Sequence, residues 1–437
     1  MSSQSDEARD EARVGARGEA LRLFRGGQVL EAERACLRRL EDDPDDLDAL
    51  KVVAIAALRR GDAVRAVAKL TRVARLDPAD TIGRYHLARA HEMAGNGIAA
   101  LAWYDTTLRH APDFHLARLN YGAALERAGQ RDRALWQWAR ALRDAQAMGR
   151  WVDADATPSG LRPLVGHAVA RVRAGRRAML ARVLEPLAAR HGHLALARVE
   201  RALRIWLGEE SGAAPDAAQQ PGFLWLPDLP AVPVFERTSF EWVAGLEAAT
   251  PAIRAELGAL LGSSAESERV FGDETLERAH LRGTHGAPSW HGFYFYRHGE
   301  RRGETCRRCP ATSRAVDALP LSRVPGHGPE VLFSVFAPGT HLLPHRGVTN
   351  TRLVGHLPLI VPHDCALRVG AVLHAWREGE VVVFDDTFEH EAWNRSSAAR
   401  VVLIFDIWNP HLTAAERDAI GALVPAIGEF RAAVDAA

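Results

Sequence analysis

The chain has 437 residues, 47% of them hydrophobic and 25% charged, and its Lys plus Arg and Asp plus Glu totals are equal at 55 each. That balance offers no bulk field for nucleic acid or an anionic membrane surface, and the length allows two or three domains that each bury a core. The opening MSSQSDEARDEARVGARGEA lacks the apolar stretch of a signal peptide, and no run reaches the roughly 18 apolar residues of a spanning helix. A cytoplasmic protein with no membrane or nucleic-acid partner is therefore expected. Cys36, Cys306, Cys309 and Cys365 are too few for a disulfide framework. The lone Cys306-Arg-Arg-Cys309 has no second pair and reads as plain thiols.

Along the first third, Pro44, Pro78 and Pro112 lie 34 residues apart, and Gly27, Gly61, Gly95 and Gly129 share that spacing with Ala32, Ala66, Ala100 and Ala134. Glycine closing one helix, alanine at a close helix crossing and proline ending the second helix describe a repeated helix pair, and the pattern resembles a tetratricopeptide array. The spans LDALKVVAIAALRR, TIGRYHLARAHEMA and HLARLNYGAALERA carry apolar residues at helical spacing. Residues 13–145 are read as three full repeats with flanking half-repeats. Their concave surface would dock a peptide or protein partner, the alternative being a spacer or dimerisation arm. Trp136 and Trp138 could anchor such a ligand but suit packing between helices better.

Residues 146–208 continue as an arginine-rich helical extension, its charges read as a solvated face, and the small polar residues of 209–222 mark a linker. Beyond it, 223–437 changes period. Short aromatic and β-branched runs, FLWLPDLP, WHGFYFYRHG, EVLFSVFAPG, RLVGHLPLIVP, CALRVG, GEVVVFDD and RVVLIFDIWNP, alternate with glycine and proline and predict an all-β sandwich or barrel. One helical insert is predicted at SFEWVAGLEAATPAIRAELGALL. The whole is thus a multidomain α + β chain: an N-terminal α-helical solenoid, then a C-terminal all-β domain, for which the pattern permits a double-stranded β-helix of jelly-roll, cupin-like type that can enclose a small-molecule cavity between its sheets.

Two histidines of this half, His345 in PHRGVTNTRLVGHLPL and His390 in VVVFDDTFEHEAWN, each fall at a strand edge, and Arg400 opens the run RVVLIFDIW. The layout suits a redox metal between two imidazoles and an anion gripped by a guanidinium. A non-haem Fe(II) centre usually also has a carboxylate near the first histidine, whereas the residue two beyond His345 is Gly347. On residue types alone the site therefore stays open, and each histidine taken singly suits a satisfied or surface role.

The ordered motifs PGTHLLPHRGVTNTRLVGHL, RVGAVLHAWREGEVVVFDDTFEHEAWN and RVVLIFDIWNP, with WHGFYFYRHGERRGETCRRCPATSRAVDALP upstream, resemble the aspartyl/asparaginyl β-hydroxylase family over roughly 285–412. The resemblance implies an Fe(II)- and 2-oxoglutarate-dependent dioxygenase. His345 and His390 would be its catalytic metal ligands, with Gly347 where other such sites have a carboxylate. It implies that Arg400 pairs with the distal carboxylate of 2-oxoglutarate beside Ser334, that His356 lies near the chelating end, and that Trp290 borders the pocket or serves as core. Val354 stands where relatives have a second arginine, so Arg352 or His356 would have to compensate. Asp386 could orient a metal-bound water or His390, while Asp385, Glu389 and Glu391 read as a solvated turn and Trp393, Phe405 and Trp408 as core. The implied reaction consumes O2 and 2-oxoglutarate and hydroxylates an aspartyl or asparaginyl side chain in a peptide brought by the repeats. The alternatives are a free amino acid or a lipid acyl chain with the same cofactors, or a catalytically dead scaffold.

Overall fold

In the computed structural model, residues 19, 20, 22–283 and 287–437 are described. The start of the predicted repeats at 13–18, and residues 285 and 286 of the resemblance, lie outside them. The backbone divides into two compact units, 1–175 with 430–437, and 176–429.

In the first unit, helices α1 (Val29–Asp42), α2 (Leu47–Arg60), α3 (Ala63–Leu76), α4 (Thr81–Met93), α5 (Gly97–His110), α6 (His115–Arg127) and α7 (Arg131–Ala147) follow one another in antiparallel pairs. The period is built from helix ends. Asp46, Asp62, Asp80 and Asn96 each accept a hydrogen bond from the backbone N–H three residues on, which satisfies one of the donors a helix start leaves free. Gly61, Gly95 and Gly129 sit at φ 82, 75 and 76°, the left-handed conformation that ends a helix and that a Cβ disfavours. Ala32, Ala66, Ala100 and Ala134 are fully buried, as close crossing requires. Trp138 is core: its Nε1 donates to the Leu119 carbonyl at 3.0 Å and its indole fills the space beside Gly122. Trp136 is half-buried.

Helix α8 (Arg162–His191) runs through the division at 175, and α9 (His193–Trp206) follows it. Leu180, Leu184, Leu196, Val199 and Leu203 pack with Leu224, Leu226, Trp408, Ile420 and Leu423. The later part of the helical extension therefore shares a core with the β-rich half. FLWLPDLP, expected as a strand, is instead irregular, bridged once from Leu224 to Thr349. Pro227 and Pro230 can donate nothing to a ladder, and the leucines of the segment turn into that helical core.

Among the described residues the second unit holds thirteen strands. They are β1 (Val234–Phe235), β2 (Glu268–Arg269), β3 (Leu281–Gly283), β4 (Trp290–Arg297), β5 (Glu300–Arg301), β6 (Val331–Phe336), β7 (Thr340–His345), β8 (Arg352–Ile360), β9 (Cys365–Val369), β10 (Val372–His374), β11 (Val382–Phe384), β12 (His390–Asn394) and β13 (Arg400–Trp408). The eight-stranded sheet runs β1-β11-β8-β13-β6-β4-β2 with β5 on β4, and the five-stranded sheet runs β10-β9-β12-β7-β3, every pairing being antiparallel.

Alternation along the strands divides the large sheet into two faces. Leu353, Leu357, Val401, Leu403, Phe405, Phe333 and Phe295 face a core closed by α10 (Val243–Ala248), α11 (Thr250–Leu261) and two further short helices near 303–317. The predicted helical insert corresponds to α10 and α11. Cys306 and Cys309 belong to this core as free thiols, and burial pushes Cys309 up to about 11. The opposite face of the large sheet, with Phe336, Val354 and Phe384, packs on Leu342, Leu367 and Ala392 of the small sheet.

Candidate active site

A cavity of about 470 Å³ opens among the residues of this second core, and its lining includes Trp290, His345, Val354, His356, Asp386, His390 and Arg400. The sheet register brings the two histidines together. On neighbouring strands β7 and β12, His345 lies opposite His390, and their rings are 4.0 Å apart between centroids. Between Leu342 and His345 β7 carries one residue more than β12 does between His390 and Ala392, a bulge beside the two histidines. His345 Nδ1 lies 2.8 Å from the Leu343 carbonyl and His390 Nδ1 lies 3.1 Å from that of Phe388. Each bond places the ring proton on Nδ1 and leaves the Nε2 lone pair free. Burial lowers both imidazoles, His390 to about 3, so each is neutral at pH 7.

Gly347 has a steric reason. A Cβ there would overlap the Asp386 carboxyl, and the Gly347 N–H donates to the Asp386 carbonyl at 2.6 Å. Arg352 donates to Asp386 Oδ2 at 2.8 Å and to Asp406 Oδ1 at 2.7 Å, so it bridges two buried carboxylates. Asp386 Oδ1 has no partner. Among the described residues, no group of three or more His, Cys, Asp and Glu side chains is placed to hold a metal ion.

Arg400, 1% exposed, lies with its guanidinium carbon 3.9 Å from the centre of the Phe336 ring and 4.6 Å from that of Trp376. Its Nε and Nη1 have no hydrogen-bond acceptor, and burial pushes it down to about 9. An isolated buried cation of this kind costs several kcal/mol unless an anion joins it. Ser334 is fully buried on β6, and its Oγ accepts from Trp290 Nε1 at 2.9 Å. His356 shares the cavity, its Nδ1 unpartnered, and burial holds it well below the usual histidine range. The Phe336 and Trp376 walls around Arg400 and the Asp406 arm of Arg352 were missed in the sequence. Only strand alternation from Arg400 to Asp406 hints at the second, since both fall on one face of β13.

The turn carrying Asp386 is braced from outside the motifs. Gln219 Nε2 donates to Asp385 Oδ2 at 2.6 Å, and Thr387 N donates to Asp385 Oδ1 at 2.9 Å. Gln220 and Gly222 donate backbone hydrogen bonds to Thr387 and Gly347, each at 3.0 Å. Asp385 is fully buried, Asp386 is buried, and Glu389 pairs with Arg346 at 3.3 Å.

Residues 247–410, which contain all six of these candidate site residues, match the family model described as Aspartyl/Asparaginyl beta-hydroxylase. The Aspartate beta-hydroxylase domain-containing protein 2 of Rattus norvegicus is 32% identical over 241 residues, 54% of this chain and 68% of the relative. The Ornithine lipid ester-linked acyl 2-hydroxylase of Rhizobium tropici is 36% identical over 181 residues, 41% of this chain and 61% of the relative. The human Aspartyl/asparaginyl beta-hydroxylase is 36% identical over 135 residues, 31% of this chain but only 18% of that longer protein. The paired histidines, the glycine beside them and the buried arginine all lie inside the matched region, and the chain belongs to the aspartyl/asparaginyl β-hydroxylase family.

Proposed function

We propose that the chain is an Fe(II)- and 2-oxoglutarate-dependent hydroxylase whose two-sheet domain is a jelly roll. The observation that carries this reading is the coincidence in one cavity of two neutral imidazoles with free Nε2 atoms and a buried guanidinium lacking an anion. The residues present fit the group. Metal-binding histidines commonly donate their second ring N–H to a carbonyl, as His345 and His390 do here. Bound iron would supply the activation of O2 that hydroxylation of an unactivated C–H requires.

The chain's own residues divide the remaining work. His345 and His390 would hold the metal through Nε2. Arg400 would clamp the distal carboxylate of 2-oxoglutarate with Ser334 beside it, a charge-assisted pairing strengthened by the dry aromatic walls. Trp290 keeps the Ser334 hydroxyl oriented. His356 would flank the chelating end, and Asp386 Oδ1 would hold a water in the position beside Gly347. Arg352, already shared by Asp386 and Asp406, fixes the orientation of Asp386 and contributes no free N–H fork to the cosubstrate.

Kinship offers two targets, an aspartyl or asparaginyl side chain as in the human relative's name and an acyl chain as in the Rhizobium relative's name. The helical repeats would recruit a polypeptide partner or carrier. The test is anaerobic loading with Fe(II) and 2-oxoglutarate, admission of O2 and assay of succinate. Wild type is expected to form succinate and to bind iron, and His345→Ala and His390→Ala to lose both. Undiminished iron binding in either variant would remove that histidine from the site.

A further inference from the structure

We infer that the primary substrate presents an uncharged aliphatic chain, an acyl chain rather than an aspartyl or asparaginyl side chain, to the cavity. The inference rests on the cofactor reading above and decides the target which that reading leaves open. Its basis is how charge and apolar surface are distributed over the cavity wall.

Three guanidinium groups are among the described residues lining the cavity: Arg297, Arg352 and Arg400. Arg297 pairs with Glu268, and its guanidinium carbon lies 4.5 Å from the centre of the Tyr294 ring. Arg352 is held between Asp386 and Asp406. Arg400 retains the unpartnered buried donors, and 2-oxoglutarate claims these. Three carboxylates, Glu330, Asp386 and Asp406, share the same wall. An aspartyl substrate would add a desolvated negative charge, and among the described lining residues no unpaired guanidinium is left to meet it once 2-oxoglutarate is bound.

A carboxamide escapes that repulsion but meets the wrong surface. Val270, Phe271, Leu342, Val354, Leu367 and Ile404 line the cavity from both sheets and from the segment before α12 (Glu274–His280). A polar amide against them would lose water without gaining partners. Val354 is the pivotal member: on β8 it projects between Arg352 and His356 into the same cavity, where it offers two methyl groups and no donor. The solvent edge is different. His298 and His327 are exposed there, with Arg297 and Glu330 close by. An apolar interior behind a polar rim matches an amphiphile whose tail enters while its head stays in water.

The chemistry balances with the cosubstrate already named. O2 takes two electrons from the oxidative decarboxylation of 2-oxoglutarate and two from the substrate C–H bond. One oxygen atom ends in succinate and the other in the new hydroxyl, and the lost carboxyl leaves as CO2.

The full chain with Fe(II) and 2-oxoglutarate is titrated without O2, by tryptophan fluorescence, with N-decanoylglycinamide and with three otherwise identical peptides carrying Asp, Asn or Leu. O2 is then admitted, and each probe is weighed for the gain of one oxygen atom. The acyl amide is expected to bind at least about tenfold more tightly than any of the peptides and to be the probe that gains oxygen. Tighter binding or oxygen gain by the Asp, Asn or Leu peptide in place of the amide would overturn the inference. Val354→Arg is expected to weaken the amide at least about tenfold while 2-oxoglutarate still binds, with Val354→Leu retaining both. Unchanged amide affinity in Val354→Arg would equally overturn it. Binding of 2-oxoglutarate, followed separately, distinguishes the two failures: its absence sinks the cofactor reading, and its presence without amide binding sinks the acyl chain alone.

Discussion

Arg400 carries a desolvation cost in the folded protein that a bound anion would relieve. Two of its nitrogens are buried without an acceptor, against Phe336 and Trp376. Removing the guanidinium should therefore change cosubstrate binding more than folding. Arg400→Ala is expected to weaken 2-oxoglutarate by roughly 10- to 150-fold, the range for a hydrogen bond to a charged group, without lowering the unfolding midpoint. Calorimetric titration checks the first part and thermal unfolding the second. Gly347 gives the opposite kind of prediction, because a Cβ would meet the Asp386 carboxyl. Gly347→Ala should destabilise the fold by about 1–3 kcal/mol, the usual cost of overpacking, visible as a lower urea midpoint. Glu330 predicts a pH dependence. Burial raises its carboxyl from 4.5 to about 7, Asp406 adds to the rise, and the His298 backbone N–H, Arg297 and Arg352 oppose it. His298 Nδ1 also lies 3.0 Å from its carboxylate. A carboxyl that holds its proton more tightly when folded loses stability as pH rises from about 4.5 to about 7 and loses no more above that. Glu330→Gln should flatten this slope in urea unfolding measured at about pH 5 and about pH 7.5; an unchanged slope would show that the group does not titrate there.

At the scale of the element, β8 decides most about the site. Its even positions Arg352, Val354 and His356 face the cavity, and Leu353, Leu357 and Leu359 face the helices on the other side. Gly355 sits among them because the Phe405 ring of the neighbouring β13 occupies the place of a side chain. Gly355→Ala should push β8 from β13, costing about 1–3 kcal/mol as overpacking and weakening 2-oxoglutarate in the same variant, since both strands carry cavity residues. Equal affinity in a destabilised variant would mean the site tolerates that shift. In the repeats the period was legible because helix ends recur with particular residues: an acid or amide cap at Asp46, Asp62, Asp80 and Asn96, a glycine at positive φ after one helix of a pair and a proline after the other. Strand partners were not legible. The short β3 and the two short helices near 303–317 bury Leu281, Cys306 and Val316 only through contacts set elsewhere in the chain.

For the whole molecule, the sequence places a linker at 209–222, whereas the backbone divides at 175 and the end of that linker binds the turns of the site. Fragments test the difference. Residues 176–437 should give a soluble protein that binds 2-oxoglutarate. A fragment beginning at 223 loses α8 and α9 from the core of Leu224, Leu226, Ile420 and Leu423, and Gln219 from Asp385. It should be insoluble or unfold at a clearly lower temperature, and equal midpoints for the two would show that those contacts add nothing.

By itself the sequence determined the repeat period and the change to strands, and it singled out His345, His390, Ser334 and Arg400 as candidates, because caps, turns and ordered motifs are local. Their meeting depended on the antiparallel register that sets His345 against His390, and on the facing of two sheets that encloses Arg400. The engagement of Arg352 by Asp386 and Asp406 was likewise decided by tertiary structure alone. Charge pairing depends on which side chains share a wall, and spacing along a chain does not state it.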